Sequence, residues 1–202
     1  MAYKKHRWIV PENQPLTAFD EKVLSFQKKG CLVPNRNLIR TPEEMDGIRK
    51  AGKLNTAVLD LVQENIRVGM STLEIDNLVA DFTEKNGGIC APLNYEGFPK
   101  HCCTSINEVV CHGIPKEEDI LEEGDIVNVD VTTILNGYYA DANRTCIVGG
   151  KTTPEKEKLV RVAKECLEAG IEAAKPWGFI NDIGDVIQTI CDKHHYGIVQ
   201  DL

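Results

Sequence analysis

The sequence predicts an α+β fold: a pair of amphipathic helices, a block of strands, and a second pair of helices. Three features lead there. Thr41-Pro42-Glu43 and Thr153-Pro154-Glu155 are helix-opening triplets, and each precedes a long apolar stripe at helical spacing. Residues 89–148, between the two helix pairs, alternate apolar and polar side chains and carry turn signals, as strands do. Within that block, Asn136-Gly137 is the dipeptide that most strongly marks a two-residue hairpin.

Residues 1–40 read as an N-terminal extension, broken by Pro11, Pro15, Pro34 and the Lys28-Lys29-Gly30 run. A short helix is expected over Ala18–Gln27, where Phe19, Val23 and Phe26 recur at helical spacing. The segment is expected to serve as a strap on the folded body, with a docking role as the alternative.

The body is expected to run over residues 41–202. Thr41 can cap its first helix, with Pro42 at the first helical position and Glu44 completing a capping box. Met45, Ile48, Ala51, Leu54, Val58, Leu61 and Val62 then form one apolar face. A second box, Ser71 to Glu74, opens a helix that turns Ile75, Leu78, Val79 and Phe82 inward and stops at Asn86-Gly87-Gly88. After Thr153 a long helix carries Leu159, Val162, Ala163, Cys166, Leu167, Ile171 and Ala174 on its apolar face. Gly178 and Asn181-Asp182-Ile183 open a shorter helix that carries Ile187 and Ile190, and without a following sheet the apolar faces of both helices are expected to be partly uncovered. The second pair repeats the first: Glu74-Ile75 corresponds to Asp182-Ile183, Val79 to Ile187 and Phe82 to Ile190. Tyr196-Gly197-Ile198-Val199 resembles the start of a strand, so the second half is expected to be incomplete and the chain cut short before its sheet.

Composition excludes several classes. The 202 residues, 42% hydrophobic and 27% charged, suffice for a domain with a full core. A net charge of −8 argues against nucleic-acid recognition or a membrane surface, which need a basic face. No apolar run approaches the ~20 residues that span a bilayer. Met1–Val10 is polar and basic without an apolar core behind it, unlike a secretory signal, so a cytoplasmic protein is expected. Of the eight cysteines, Cys102 and Cys103 are adjacent and no Cys-x-x-Cys occurs; reduced thiols are expected, and no structural zinc.

The chemistry concentrates in two motifs. A two-residue Asn136-Gly137 turn pairs Leu135 with Tyr138, Thr132 with Asp141 and Asp130 with Asn143. Side chains alternate faces along a strand, so Asp130, Thr132, Asp141 and Asn143 share one face. Asp130 and Asp141 become diagonal neighbours, with Cα atoms about 7–8 Å apart or somewhat less. Asp130 lies within Val127–Val131, which reads as a buried strand, where an unpaired carboxylate is costly. Two converging carboxylates require either a proton or a cation. The residues alone leave a second reading open, in which one Asp pairs with Arg144 and the other caps a turn. The other motif is Ser105-Ile106-Asn107-Glu108-Val109-Val110-Cys111-His112-Gly113-Ile114-Pro115. It reads as a strand ending at His112 with a turn at Gly113 and Pro115, where an imidazole can face a cleft and exchange a proton near neutral pH. A structural histidine is the alternative.

Ser105–Pro115, Gly124–Val131, Gly137 and Asp141 together resemble the methionine aminopeptidases, type I in particular, over about residues 40–202. The resemblance implies the pita-bread fold of the creatinase/aminopeptidase type, with pseudo-two-fold helix-and-sheet halves. It implies a metalloaminopeptidase that removes the N-terminal methionine from nascent proteins, met at the ribosome, when the second residue is small. Asp130 would ligate one metal ion and Asp141 bridge two. The ions would activate a water for attack on the scissile carbonyl. His112 would contact the substrate beside the scissile amide, and Tyr95, Phe98 and Cys103 would line part of the methionine pocket; each of these three could also be ordinary core. Two divalent ions are implied, with Co, Mn, Fe, Zn and Ni all compatible with carboxylate and imidazole ligands. A monomer without membrane or nucleic-acid partners is expected. The family's site also uses a histidine in Gly-His-Gly and two glutamates further along; His194 and His195 do not stand in that context, and this chain alone is expected to be inactive. Two other classes compete: a binding module that kept the fold and lost its metals, and an X-Pro peptidase. Intact Asp130, Asp141 and His112 oppose the first, and the Asn107–Pro115 motif opposes the second.

Overall fold

The structure is a computed structural model that describes residues 7–199. Residues 1–6 of the polar N-terminus and Gln200-Asp201-Leu202 lie outside the described residues. The chain divides into two compact units, residues 1–50 and 51–202.

The first unit has its own small core. Helix α1, Ala18–Lys28, starts at a Thr17 capping box and buries Val23 against Trp8 and Val33. Asp20 is buried, and its carboxylate accepts from the Thr17 hydroxyl at 2.6 Å and from the Trp8 indole N–H at 2.9 Å. The Thr17 bonds are the main reason its carboxyl is held below the usual aspartate range.

Helix α2, Pro42–Asn65, begins at the expected capping box: the Thr41 N–H donates to Glu44 at 2.8 Å and the Glu44 N–H to the Thr41 hydroxyl at 3.2 Å. From Ala51 onward α2 belongs to the second unit, where Ala51, Leu54, Val58, Leu59 and Val62 are buried. Met45 and Ile48, expected on the inward face, are exposed, and Leu61 is half-buried. Helix α3, Thr72–Lys85, is capped by the Ser71–Glu74 box and buries Ile75 and Val79.

The second unit's sheet has four antiparallel strands: β1 (Ile89–Cys90), β2 (Cys103–Ile106), β3 (Ile126–Leu135) and β4 (Tyr138–Ile147). Strand β4 pairs with β3 along its full length, and β2 and β1 pair with β3 in succession. Asn136 and Gly137 both take positive φ (51° and 83°), as a two-residue hairpin turn of matching twist demands. The register is the expected one, Leu135 with Tyr138 through Asp130 with Asn143. Val127, Val129 and Val131 are buried on one face with the α2 and α3 side chains, while Asn128, Asp130 and Thr132 are half-buried on the other. The reading of Val127–Val131 as a strand buried throughout is thereby corrected: alternation gives it a core face and a more open face.

Helices α4, Pro154–Ala173, and α5, Ile180–His194, pack on each other; Val162 and Cys191 are buried, and a Cβ at Gly170 would meet Ile183 at 3.3 Å. Leu159, Leu167 and Ile171 are 43, 61 and 65% exposed, so much of the apolar stripe of α4 is uncovered. Tyr196–Val199 does not form the expected strand.

Candidate functional site

The open face of the hairpin forms one wall of a cavity of about 730 Å³. Asp130, Thr132 and Ile134 reach it from β3, Tyr139 and Asp141 from β4 and Cys103 from β2. Period-two alternation places them together: Asp130 pairs with Cys103 on one side and Asn143 on the other, Thr132 with Asp141, and Ile134 with Tyr139. Residues of the segment from Ala91 to Pro99, including Tyr95 and Phe98, also line the cavity, and there Asn94 and Glu96 take left-handed φ of 66° and 48°. His112 and Ile114 line it as well. All six residues singled out from the sequence, Tyr95, Phe98, Cys103, His112, Asp130 and Asp141, thus border one cavity.

His112 arrives differently from expectation. Strand β2 ends at Ile106, and Asn107 turns the chain at φ 49°. The Asn107 side chain holds that turn, donating to Asp125 at 2.8 Å and accepting from Lys156 Nζ at 2.8 Å. His112 therefore sits in a loop, at φ 54°, and not at a strand end. The loop is seated on β2 at Gly113, whose carbonyl accepts from the Thr104 N–H at 2.8 Å and whose N–H donates to the Ser105 hydroxyl at 3.2 Å. A Cβ at Gly113 would run into the Thr104 carbonyl, so only glycine allows this approach.

The site is electrostatically strained. Burial, reinforced by the Asp141 charge, pushes the Asp130 carboxyl above the usual aspartate value, and His112 opposes the rise. Burial, with Asp130, Cys111 and Asp141 adding to it, pushes the Cys103 thiol up to about 11. The Asp141 carboxylate accepts from the Thr132 hydroxyl at 2.8 Å. Arg144, the alternative partner for an aspartate, points to the other face and binds Asp60 and Gln63, each at 2.7 Å. Among the described residues, the cavity lining includes Glu96, Asp130 and Asp141 and no lysine or arginine. Such a site favours a cation. Asp130 and Asp141 are suited to hold one from two sides, yet no three His, Cys, Asp or Glu side chains among the described residues are grouped to hold a metal by themselves.

Residues 46–201 match metallopeptidase family M24. The chain belongs to that family. Methionine aminopeptidase A of Synechocystis is 48% identical over 158 residues, which cover 78% of this chain and 62% of that protein. The methionine aminopeptidase of Rickettsia prowazekii is 42% identical over 163 residues, covering 81% and 62%. The crystal structure of the Rickettsia prowazekii methionine aminopeptidase superposes with a TM-score of 0.78 at 41% identity, covering 81% of this chain and 65% of the other. A Pyrococcus furiosus prolidase, 20% identical, shares the fold at a TM-score of 0.69. This M24 chain therefore has the pita-bread fold, and it spans 62% of the length of these two sequence relatives. No helix among its described residues is long and apolar enough to cross a membrane.

Ile134, Tyr139 and Ile114 were not picked out from the sequence as site residues. The hairpin register contained the signal for the first two, because Ile134 and Tyr139 share the parity of Asp130 and Asp141.

Proposed function

We propose that this M24 protein is a divalent-metal-dependent aminopeptidase that removes methionine from the N-termini of nascent polypeptides whose second residue is small. The observation that carries the reading is the convergence of Asp130, Asp141 and His112 on one cavity, where burial and the Asp141 charge raise the cost of ionising Asp130. Asp130 and Asp141 would hold the metal. A bound divalent ion would supply Lewis acidity toward the scissile carbonyl and lower the pKa of an attacking water. The chain's own residues do the rest. His112 donates a hydrogen bond beside the scissile amide, and Thr132 holds the orientation of Asp141. Tyr95, Phe98 and Cys103 offer an aromatic and sulfur-bearing wall that suits a thioether. The carboxylates without a lysine or arginine nearby attract the substrate's α-ammonium group.

That the sequence relatives are methionine aminopeptidases supports this reading, whereas the prolidase shares only the fold. Two carboxylates are fewer ligands than the resemblance implies, so the 202 residues by themselves are proposed to be inactive. The test is a peptide assay on the protein together with whatever its reading frame encodes beyond Leu202, with added divalent metal. Met-Ala should be cleaved and Met-Leu should resist. Equal turnover of the two, or cleavage only before proline, would sink the assignment.

A further inference from the structure

Asn55 is a polar residue buried in the middle of the apolar face of α2, 2% exposed. Its neighbours on that helix, Leu54, Val58 and Leu59, belong to the main core. Its side-chain N–H groups donate to two backbone carbonyls, Val131 O at 2.8 Å and Ala140 O at 2.6 Å. Those carbonyls lie on different strands of the hairpin. Val131 follows Asp130 directly, and Ala140 directly precedes Asp141. In a two-residue hairpin with this register, both carbonyls already face the partner strand's N–H groups. Asn55 therefore adds a second donor to each and bridges the strands from the core side, beneath the carboxylates.

Stability alone gives a weak reason for this amide. Its oxygen is buried without a hydrogen-bond partner. The desolvation of that oxygen offsets part of what the two donated bonds contribute, and both carbonyls would keep a strand partner without it. What the amide supplies without such a substitute is geometry. One rigid planar group fixes the spacing and stagger of the backbone at the two positions that aim Asp130 and Asp141.

We propose that Asn55 is a positioning residue, acting through the Val131 and Ala140 carbonyls to set the separation of the Asp130 and Asp141 carboxylates for a divalent cation. This rests on the metal-site reading given above. Groups that orient metal ligands from outside the ligand shell typically account for about 10–100-fold in metal affinity.

The experiment uses Mn²⁺ alone, added to the 202-residue chain and followed by paramagnetic broadening of backbone amide resonances, a readout that registers weak binding and needs no turnover. In the wild-type chain broadening should centre on residues 130 and 141. Asn55→Leu replaces the amide by an apolar group of similar volume, so the fold should persist, while broadening should require at least ~10-fold more Mn²⁺. Asn55→Ala should melt at lower temperature because it leaves a cavity, yet show the same Mn²⁺ shift as Asn55→Leu. Asp141→Asn separates the two ideas. If it leaves the broadening unchanged, the metal reading fails and the positioning role with it. If it abolishes the broadening while Asn55→Leu responds like wild type, the positioning role alone is overturned. An Asn55→Leu chain that does not fold, or a Mn²⁺ response that follows melting temperature across the Leu and Ala variants, would assign the amide to folding and equally overturn the proposal.

Discussion

Asp130 and Asp141 stand two register positions apart on paired strands, Asp130 opposite Asn143 and Asp141 opposite Thr132, so both carboxylates reach the same cavity. The asparagine variant at position 141 keeps the shape and removes the charge. In the full-length protein used for the Met-Ala assay, Asp141→Asn should lower peptide turnover by at least ~100-fold, more than the loss of a group outside the ligand shell, with an unchanged circular-dichroism spectrum. Wild-type turnover in that variant would remove Asp141 from the mechanism.

The raised Asp130 carboxyl makes stability depend on pH. Its folded-state pKa lies above the ordinary 3.8, so between these values the folded chain holds a proton that the unfolded chain has lost. Stability falls as pH rises through that interval, and the deficit persists above it. Metal-free Asp130→Asn is therefore expected to melt at higher temperature than wild type at pH 7. At pH 3, where both states of the wild-type carboxyl are largely protonated, the gain should shrink. Melting curves at the two pH values decide it; an equal gain at both would show that charge is not the cause.

Gly113 seats the His112 loop on β2. Gly113→Ala forces a Cβ toward the Thr104 carbonyl, and backbone cannot step aside as a flexible side chain can. The loop should lift, displacing the imidazole. A misplacement of about 1 Å can cost on the order of 100-fold in rate, so kcat of the full-length protein should fall far more than its thermal stability changes. A variant with normal kcat would show that the loop tolerates displacement.

Cys166 on α4 and Cys191 on α5 place their sulfurs 3.9 Å apart. Small side-chain rotations bring such a pair to bonding distance. Diamide, reduced to its hydrazine, should take two electrons and two protons from the thiols and leave a disulfide. The cross-link should stabilise the chain by about 3 kcal/mol, reversibly with dithiothreitol. Intact-mass and peptide-mapping measurements check the pairing, and Cys166→Ser should abolish it.

Much of this was readable in the sequence, for local reasons. The capping boxes at Thr41 and Ser71 involve groups three residues apart, and Asn136-Gly137 sets a register that carries ten residues along each strand. What the sequence concealed depends on distant partners. The Asn107 turn that puts His112 in a loop leans on Asp125 and Lys156. Asn55 interrupts an apolar stripe, and its burial makes sense only with the carbonyls of the hairpin in view. The α4 stripe of Leu159, Leu167 and Ile171 was legible as amphipathic, but periodicity records which side is apolar and not what covers it.

Three positions separate Asp141 from Arg144 on β4, an odd number, and so the sheet lies between them. The guanidinium is spent on Asp60 and Gln63 of α2, on the sheet face that Val127, Val129 and Val131 share. The sheet acts as an insulator between the cavity's anions and the internal counter-ion that would otherwise silence them. Shift Arg144 by one position and its guanidinium would fall on the cavity side and neutralise the carboxylates there. The arrangement leaves Asp130 and Asp141 without a lysine or arginine beside them among the described residues lining the cavity.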